Sequence, residues 1–231
     1  VVLLPKTLQG APLSPDERTV EALWPVRAVL AARLYFGQTP AERGMRWYDH
    51  AMFFSGRHAT PMSITFAFVA THNHFVLDRG GKVFKQSAPV IKLPAEASED
   101  DHLKVLGVLN SSTACFWLKQ NSYPKGGDPV GQDGARVSQQ PWSDRYEFTG
   151  TTLQDFPLPK FLPLERARAL DGLGQELSAH QVGSLIQVGS PTAELIRSGE
   201  SKQLSLRGRM IAQQEELDWE YKPEIRIDDP E

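Results

Sequence analysis

The sequence predicts an α+β fold, in which a small and mainly antiparallel sheet with hairpins is covered by helices and flanked by N-terminal and C-terminal helices. Two observations carry this prediction. β-branched and aromatic residues are concentrated between positions 62 and 93, and an amphipathic helical pattern follows, from an acidic lead-in at 94–101 to about Gln120. A sheet whose apolar face is covered by such a helix forms a stable two-layer arrangement.

The first region, residues 1–48, is predicted to be a helical lead-in or connector. Ser14 is the expected N-cap, and Pro15 suits the first helical position. Pro25 is expected to kink or split this helix, because proline lacks an amide hydrogen and clashes with the preceding turn. The chain begins with Val1 in a strand-like pattern, which indicates a fragment of a longer protein.

The middle region, residues 49–160, is predicted to be the core of the fold. Within it, His72-Asn73 and Arg79-Gly80-Gly81 interrupt the apolar pattern, so three or four short strands joined by tight hairpins are expected. The segment 121–144, rich in glycine, proline and amides, is predicted to be a long loop. The motif RYEFTG that follows it is predicted to be a strand.

The last region, residues 161–231, is predicted to form two or three helices. Acidic side chains outnumber basic ones there, whereas residues 27–57 contain five arginines against two acids. The whole chain has a net charge of -3 and a pI of about 6.1, so any surface for nucleic acid must be local. Cys115 lies in an apolar run and is expected to be buried. No apolar stretch reaches the roughly 20 residues of a membrane span, and a cytoplasmic protein is expected.

Two groups of residues are candidates for contacts with double-stranded DNA. The first mixes cations with aromatic rings, which suits phosphate binding and base stacking: Arg46, Trp47, Tyr48, Arg57, His58, Lys82 and Lys85. The second offers amide and guanidinium groups that read base edges: Asn73, Gln120, Arg136 and Gln139. The competing interpretation is that the aromatic rings belong to the core, the arginines to a solvated face and the amides to a disordered loop.

Catalysis by this chain is not predicted. The sequence contains no Asn/Asp-Pro-Pro-Tyr/Phe motif, with which adenine methyltransferases hold the flipped base, and no glycine-rich turn between a strand and a helix. A metal-dependent hydrolase or nuclease would need His72, His74 and Asp78 to converge on an ion. Polar rings in a hairpin and an aspartate before Gly-Gly are the competing explanation, and no metal site is predicted.

Several segments together resemble a known family. They are the tryptophan-bearing WPVRAVLAARLYFGQTPAERGMRWYDH, the run FAFVATHNHFVLDRGGKVFKQSAPVIKLP, VLGVLNSSTACFWLKQ, YEFTGTTLQDFPLP and the closing RMIAQQEELDW. In this order they are similar to the target-recognition region of large bacterial adenine-specific DNA methyltransferases. The resemblance is strongest to the methyltransferase of the phage growth limitation system, also called BREX type 2, and covers nearly the whole chain.

The resemblance implies a fragment that recognises a DNA sequence, while the parent protein transfers a methyl group from S-adenosylmethionine to adenine. No cofactor is expected in this fragment, and its expected partners are DNA and the missing upstream catalytic domain of the same protein, from which residues 1–48 would form the connector. The alternative function is a protein-interaction module of a defence complex, in which residues 161–231 dock on the parent or on other defence proteins. An exposed apolar face on the C-terminal helices would favour that alternative.

Overall fold

In a computed structural model of the chain, the described residues are 13–50, 54, 60–80, 82–127, 131–134, 140–160, 162–188, 190 and 192–221. The chain divides into two compact units, residues 1–61 and 62–231. The α+β class predicted from the sequence is confirmed. The predicted division of the chain into three functional regions stays a prediction, because compactness alone does not show what a region does.

In the first unit, helices α1 (Glu17–Leu23) and α2 (Arg27–Ala31) are separated by a 3₁₀ turn at Trp24–Val26. The expected break at Pro25 is therefore confirmed. The N-cap differs from the prediction: the carboxylate of Asp16 accepts a hydrogen bond from Thr19 N at 2.7 Å. A side-chain oxygen at this position satisfies one of the free amides of the first turn. A second 3₁₀ turn follows at Ala41–Arg43.

The second unit contains two small antiparallel sheets. The first has the order β3-β1-β4, and the second has the order β2-β6-β5. The strands are β1 (Ser63–Phe66), β2 (Val69–Ala70), β3 (Phe75–Asp78), β4 (Val90–Ile91), β5 (Tyr123–Pro124) and β6 (Tyr146–Glu147).

Four strands lie within residues 62–93, as predicted, and RYEFTG contributes β6. However, consecutive strands do not all pair: β2 leaves the first sheet and pairs with β6 instead. The chain passes from one sheet to the other at Phe68. The N–H of Phe68 donates a hydrogen bond to Ser87 O at 3.1 Å, while the carbonyl of Phe68 accepts one from Phe148 N at 2.8 Å. The prediction of sequential hairpins missed this exchange, because it depends on a segment almost eighty positions away.

The predicted helix after the sheet is two helices, α3 (Glu99–Leu109) and α4 (Ser112–Asn121). Ser98 and Asp101 form a capping box at the start of α3. The break occurs because Ser111 starts a new helix, its hydroxyl accepting from Ala114 N at 3.1 Å.

The core forms where α3 covers the first sheet, as predicted. The buried side chains that contact one another there include Ile64, Phe66, Phe75, Leu77, Leu103, Leu106, Leu109, Leu118 and Phe148. The partly buried Ala70 and Tyr146 pack against this core from the second sheet. Both sheets are thus held by one apolar cluster.

A 3₁₀ turn at Pro141–Ser143 precedes β6, and the short helix α5 (Gly150–Gln154) follows it. The last region forms three helices: α6 (Leu164–Ala179), α7 (Val182–Val188) and α8 (Ala193–Tyr221). This agrees with the predicted two or three. Helix α6 packs on α3 and on α8. Among the described helices, none is both long and apolar enough to cross a lipid bilayer.

Candidate nucleic-acid interface

The second sheet presents one face to solvent. Tyr123, Glu147 and Val69 are aligned across its three strands, and residues that are paired in register share a face. The ring of Tyr123 is the most exposed of the three, at 81%. On the opposite face, Tyr146 and Ala70 pack against the core. The exposed face therefore offers an aromatic ring held on a rigid strand.

Two cations extend this face at the neck of the long loop. Side chains alternate along a strand, so Lys125 lies on the side of Tyr123, and Arg145 lies on the side of Glu147. The main chain of the two cations is joined by a hydrogen bond from Lys125 N to Arg145 O at 2.7 Å. Lys125 Nζ lies 2.7 Å from Glu147 Oε2.

The guanidinium of Arg145 packs closely against the main chain of Gly126. A Cβ atom at Gly126 would lie 2.9 Å from Arg145 Nε and 2.7 Å from the main-chain oxygen of Ser143. Only glycine leaves room for this approach without a shift of the backbone. The positive charge of Arg145 is thereby held close to the base of the loop.

The C-terminal end of α4 brings a third cation to the second sheet, on the face opposite Tyr123. Lys119 Nζ lies 5.8 Å from the centroid of the Tyr146 ring. The pKa of His72 is lowered, first by burial and then by the positive charges of Lys119 and His74. Gln120, the next residue of α4, is exposed. We use the term neck surface for the set Lys119, Gln120, Tyr123, Lys125 and Arg145.

Two further residues predicted to contact phosphates lie in the second unit, and both are exposed. Lys82 pairs with Asp78 at 3.4 Å, and its side chain is 70% exposed. Lys85 follows in the connection between β3 and β4. Their contact with DNA stays a prediction.

Asn73, predicted to read a base, has another role in the structure. It is buried, and its Nδ2 donates to Leu109 O at 2.6 Å. This bond satisfies the last carbonyl of α3 and fixes the connection that leads into β3. In this conformation the amide is not free to meet a base edge.

In the first unit, the side chain of Arg46 makes several contacts with neighbouring residues of the same unit. Its guanidinium forms an ion pair with the buried Asp49, donates to Leu13 O at 2.8 Å, and lies 4.9 Å from the centroid of the Tyr48 ring. The carboxylate of Asp49 hydrogen-bonds to Arg46 and raises the pKa of Arg46. Trp47 is in edge contact with Tyr48 and with Trp24. These contacts match the interpretation in which the aromatic rings are structural, and a role in binding DNA stays a prediction.

Four of the predicted contact residues, Arg57, His58, Arg136 and Gln139, lie outside the described residues.

A metal centre is not assembled among the described residues, where no group of three or more His, Cys, Asp or Glu side chains is placed to hold an ion. Asp78 pairs with Lys82, and His72 exchanges a hydrogen bond with Thr71 at 3.0 Å. The structure therefore gives no support to the hydrolase alternative built on His72, His74 and Asp78.

Lys125 was a candidate in the amide-rich loop, whereas Lys119, Tyr123 and Arg145 were not predicted from the sequence. A signal was present, since the motifs KQNSYPK and DRYE place cations and tyrosines at both ends of the amide-rich loop. What could not be seen was that β5 and β6 pair, which brings the two ends of the loop together.

The chain is similar to a known protein over most of its length. The adenine-specific methyltransferase PglX of Streptomyces coelicolor is 53% identical over 199 residues, which make up 86% of this chain and 16% of that protein. No protein-family model matches the chain. The chain thus spans about a sixth of the length of the curated relative that it matches. Over most of its length, the chain is thus similar to one part of that adenine-specific methyltransferase.

Proposed function

We propose that this chain recognises DNA for a PglX-like adenine-specific methyltransferase, and that the methyl transfer takes place elsewhere in that protein. The relationship to PglX supports the class of enzyme. The sequence has no Asn/Asp-Pro-Pro-Tyr/Phe motif, which argues for a division of labour within the longer protein. Binding of S-adenosylmethionine belongs, in this proposal, to the part that carries the motif.

The neck surface is the observation that carries the proposal. It combines two cations and an exposed tyrosine ring on one face of the second sheet with a third cation and an exposed amide at the end of α4. Cations bind phosphates irrespective of sequence, whereas amides form hydrogen bonds with base edges. The long loop that starts and ends at this surface supplies further amides. A chain of net charge -3 can attract DNA through such a local cluster.

Roles within the neck surface follow from chemistry. Lys119, Lys125 and Arg145 are assigned to phosphates, together with the predicted Lys82 and Lys85. Gln120 is assigned to a base edge, because its amide is exposed at the end of a helix and both donates and accepts hydrogen bonds. The side chains of the loop, including Arg136 and Gln139, are the other candidates for reading bases.

The first test measures the affinity of the 231-residue chain for duplex DNA as a function of salt. Replacing Lys125 and Arg145 together by alanine should weaken binding on all sequences and lower the salt slope by about two units, since about 0.9 counterion is released per phosphate contact. Lys202→Ala is the matched control, because Lys202 pairs with Glu176 on α6, away from the sheet. An unchanged slope in the double variant would reject the neck surface as the DNA face.

The second test concerns sequence preference and uses the full-length methyltransferase. Gln120→Ala should cost roughly 1 to 3 kcal/mol on the cognate site alone and broaden the pattern of methylated sites. A uniform loss on all sequences would assign Gln120 to the backbone of DNA instead.

A second candidate function, a protein-interaction module, is favoured by one observation on α8. Leu204 and Ile211 are exposed at 69% and 60%, whereas Leu206 and Leu217 are completely buried against the rest of the unit. A spacing of seven residues places Leu204 and Ile211 on one side of the helix. If this side docks on the parent methyltransferase, Leu204→Glu with Ile211→Glu should abolish copurification of the chain with the remaining protein and leave DNA binding by the chain unchanged.

A further inference from the structure

Strand β3 is an edge strand, and one side of it borders a groove. The groove has a volume of about 730 Å³ and is bounded by β3 on one side and by helices α3, α6 and α8 on the others. An edge strand presents main-chain N–H and C=O groups that a second strand can pair with. The direction in which each residue of β3 presents these groups can be derived from its neighbours.

The hydrogen bonds of β1 and its register with β3 show which way the main-chain groups of β3 are directed. Phe66 N donates to Pro89 O, so the main chain of Phe66 is directed towards β4 and away from β3. The main-chain N–H and C=O of its register partner Phe75 are therefore directed away from β1. The alternation along an antiparallel pair then turns the N–H and C=O of Leu77, two residues on, towards the groove.

At Phe75 this edge is already occupied by a side chain. The amide of Asn110 bonds both main-chain groups: its Oδ1 accepts from Phe75 N at 3.0 Å, and its Nδ2 donates to Phe75 O at 2.9 Å. The side-chain amide of Asn110 thus makes the two main-chain hydrogen bonds that one residue of an adjacent strand would make. At Leu77 no equivalent partner is found among the described residues, although Leu77 is only 5% exposed. Main-chain groups that lack a strand partner at a sheet edge favour the binding of a further strand.

The second feature of the groove is the carboxylate of Asp78. Asp78 is 5% exposed, and its Oδ1 makes no hydrogen bond in the described part of the chain. Lys82 Nζ approaches this oxygen to 3.4 Å, but the lysine side chain extends into solvent. The negative charge is therefore partly compensated, while the hydrogen-bonding capacity of the oxygen is unused. A guanidinium or ammonium group in the groove would supply the missing donor.

We propose that the groove binds an extended peptide, which adds to β3 as an antiparallel strand and carries a basic side chain opposite Asp78. One residue of the peptide exchanges two main-chain hydrogen bonds with Leu77, as Asn110 does with Phe75. Addition of a strand to a free sheet edge is a recurrent mode of peptide recognition. The occupant is a polypeptide and not a nucleic acid, because the unpaired groups are those of a strand.

The preferred peptide sequence follows from the faces of β3. Asp78 and Val76 lie on one face, so the peptide residues opposite them should be basic and apolar, respectively. The residue between them would lie opposite Leu77 in the groove that Leu170 and Gly174 of α6 help to line, and we expect a small side chain there. Read from the N-terminus of an antiparallel strand, the motif is basic, small, apolar.

The test uses the 231-residue chain and the blocked peptide acetyl-Thr-Arg-Ala-Val-Thr-amide, followed by NMR of backbone amides. The peptide should shift the Leu77 amide and slow its exchange with solvent. Replacing the arginine of the peptide by glutamate should weaken binding by roughly ten-fold or more, since hydrogen bonds to charged groups are the stronger class. Methylating the alanine nitrogen, which removes the N–H that faces Leu77 O, should abolish binding.

Two protein variants complete the test. Asp78→Asn should weaken binding of the arginine peptide and reduce its advantage over the glutamate peptide. Glu194→Gln, an exposed carboxylate at the start of α8, is the matched control and should bind as the unmodified chain does. Absence of binding, or equal binding of the arginine, glutamate and N-methyl peptides, would overturn the proposal. The two modified peptides keep the test decisive even if Asp78→Asn does not fold.

Discussion

The side-chain amide of Asn73 lies 2.6 Å from the main-chain oxygen of Leu109, at the end of α3. Asn73→Ala leaves that buried carbonyl without its partner, so we expect a loss of about 1 to 3 kcal/mol in the free energy of unfolding. The measurement is urea denaturation followed by circular dichroism. Gln120→Ala, on the surface, should stay within about 0.5 kcal/mol of the unmodified chain. An Asn73→Ala variant of full stability with altered methylation specificity would restore Asn73 as a base reader.

Gly107 sets the distance between α3 and α6. A Cβ atom at this position would lie 2.8 Å from Ala167 Cβ and 3.1 Å from Pro163 Cγ. Gly107→Ala should therefore lower the free energy of unfolding by about 1 to 3 kcal/mol, because two packed elements must separate. Gly172→Ala in α6 meets nothing within 4 Å and should instead stabilise the helix by roughly 0.5 to 1 kcal/mol. Equal effects of the two substitutions in thermal denaturation would contradict this packing.

Stability in acid should depend on the capping box of α3. The hydroxyl and amide of Ser98, followed by Lys104, lower the pKa of Asp101 from 3.8 to about 2. Because the pKa is lower in the folded chain, the ionised carboxylate stabilises the fold above about pH 4, and this stabilisation disappears as the pH falls towards 2. Asp101→Asn should therefore be less stable than the unmodified chain at neutral pH, and the difference should shrink in acid. The midpoint of urea unfolding between pH 2 and 6 measures this, with Asp133→Asn in an exposed loop as the control.

The positive charge of Lys119 should be detectable at His72. Since Lys119 contributes to lowering the pKa of His72, Lys119→Ala should raise that pKa towards its usual value. An NMR titration of the imidazole signals measures the change. Lys160→Ala, a lysine that is not among the causes of the shift, should leave the titration where it was. An unmoved His72 in Lys119→Ala would show that the end of α4 does not lie close to His72 as the structure has it.

Glu147 is the acidic residue that pairs with Lys125 at the neck surface. A phosphate must displace this carboxylate, so Glu147→Gln should raise the affinity for DNA by about 1.5- to 5-fold, which corresponds to the range of exposed ion pairs. Glu176→Gln removes a carboxylate paired with Lys202 on the helical side and should have no effect. Fluorescence anisotropy at low salt is the suitable measurement. Weaker binding by Glu147→Gln would show that the carboxylate itself takes part in recognition.

Local sequence signals predicted much of the fold. Four strands between 62 and 93, the break at Pro25 and three C-terminal helices all follow from periodicity and from proline chemistry. The long-range choices were not predictable. Nothing near Val69 in the sequence shows that it pairs with Glu147 rather than with its neighbours. The split between α3 and α4 depends on Ser111 acting as a cap, which the apolar pattern conceals.

The DNA contacts of the candidate residues stay a prediction, but the structure separates exposed candidates from those that bond within the fold. Gln120, Lys82 and Lys85 are exposed as a binding role requires, whereas Asn73 and Arg46 bond to their own fold. The local sequence does not show whether an asparagine bonds a main-chain carbonyl or reads a base. Only its tertiary contacts distinguish the two roles. The cations at the neck became visible as a group only after β5 and β6 were paired.

The hydrogen bond between Lys125 N and Arg145 O closes the intervening nineteen positions into a loop with fixed ends. The entropy of closing a loop grows only slowly with its length, so replacement or lengthening of this segment costs the scaffold little. If the loop reads bases as proposed, exchange of this one segment would change the target sequence while both small sheets stay the same. Under the proposed function, grafting the loop of a relative between Lys125 and Arg145 should shift the DNA target preference, and Gln120 on α4 should retain its own contribution.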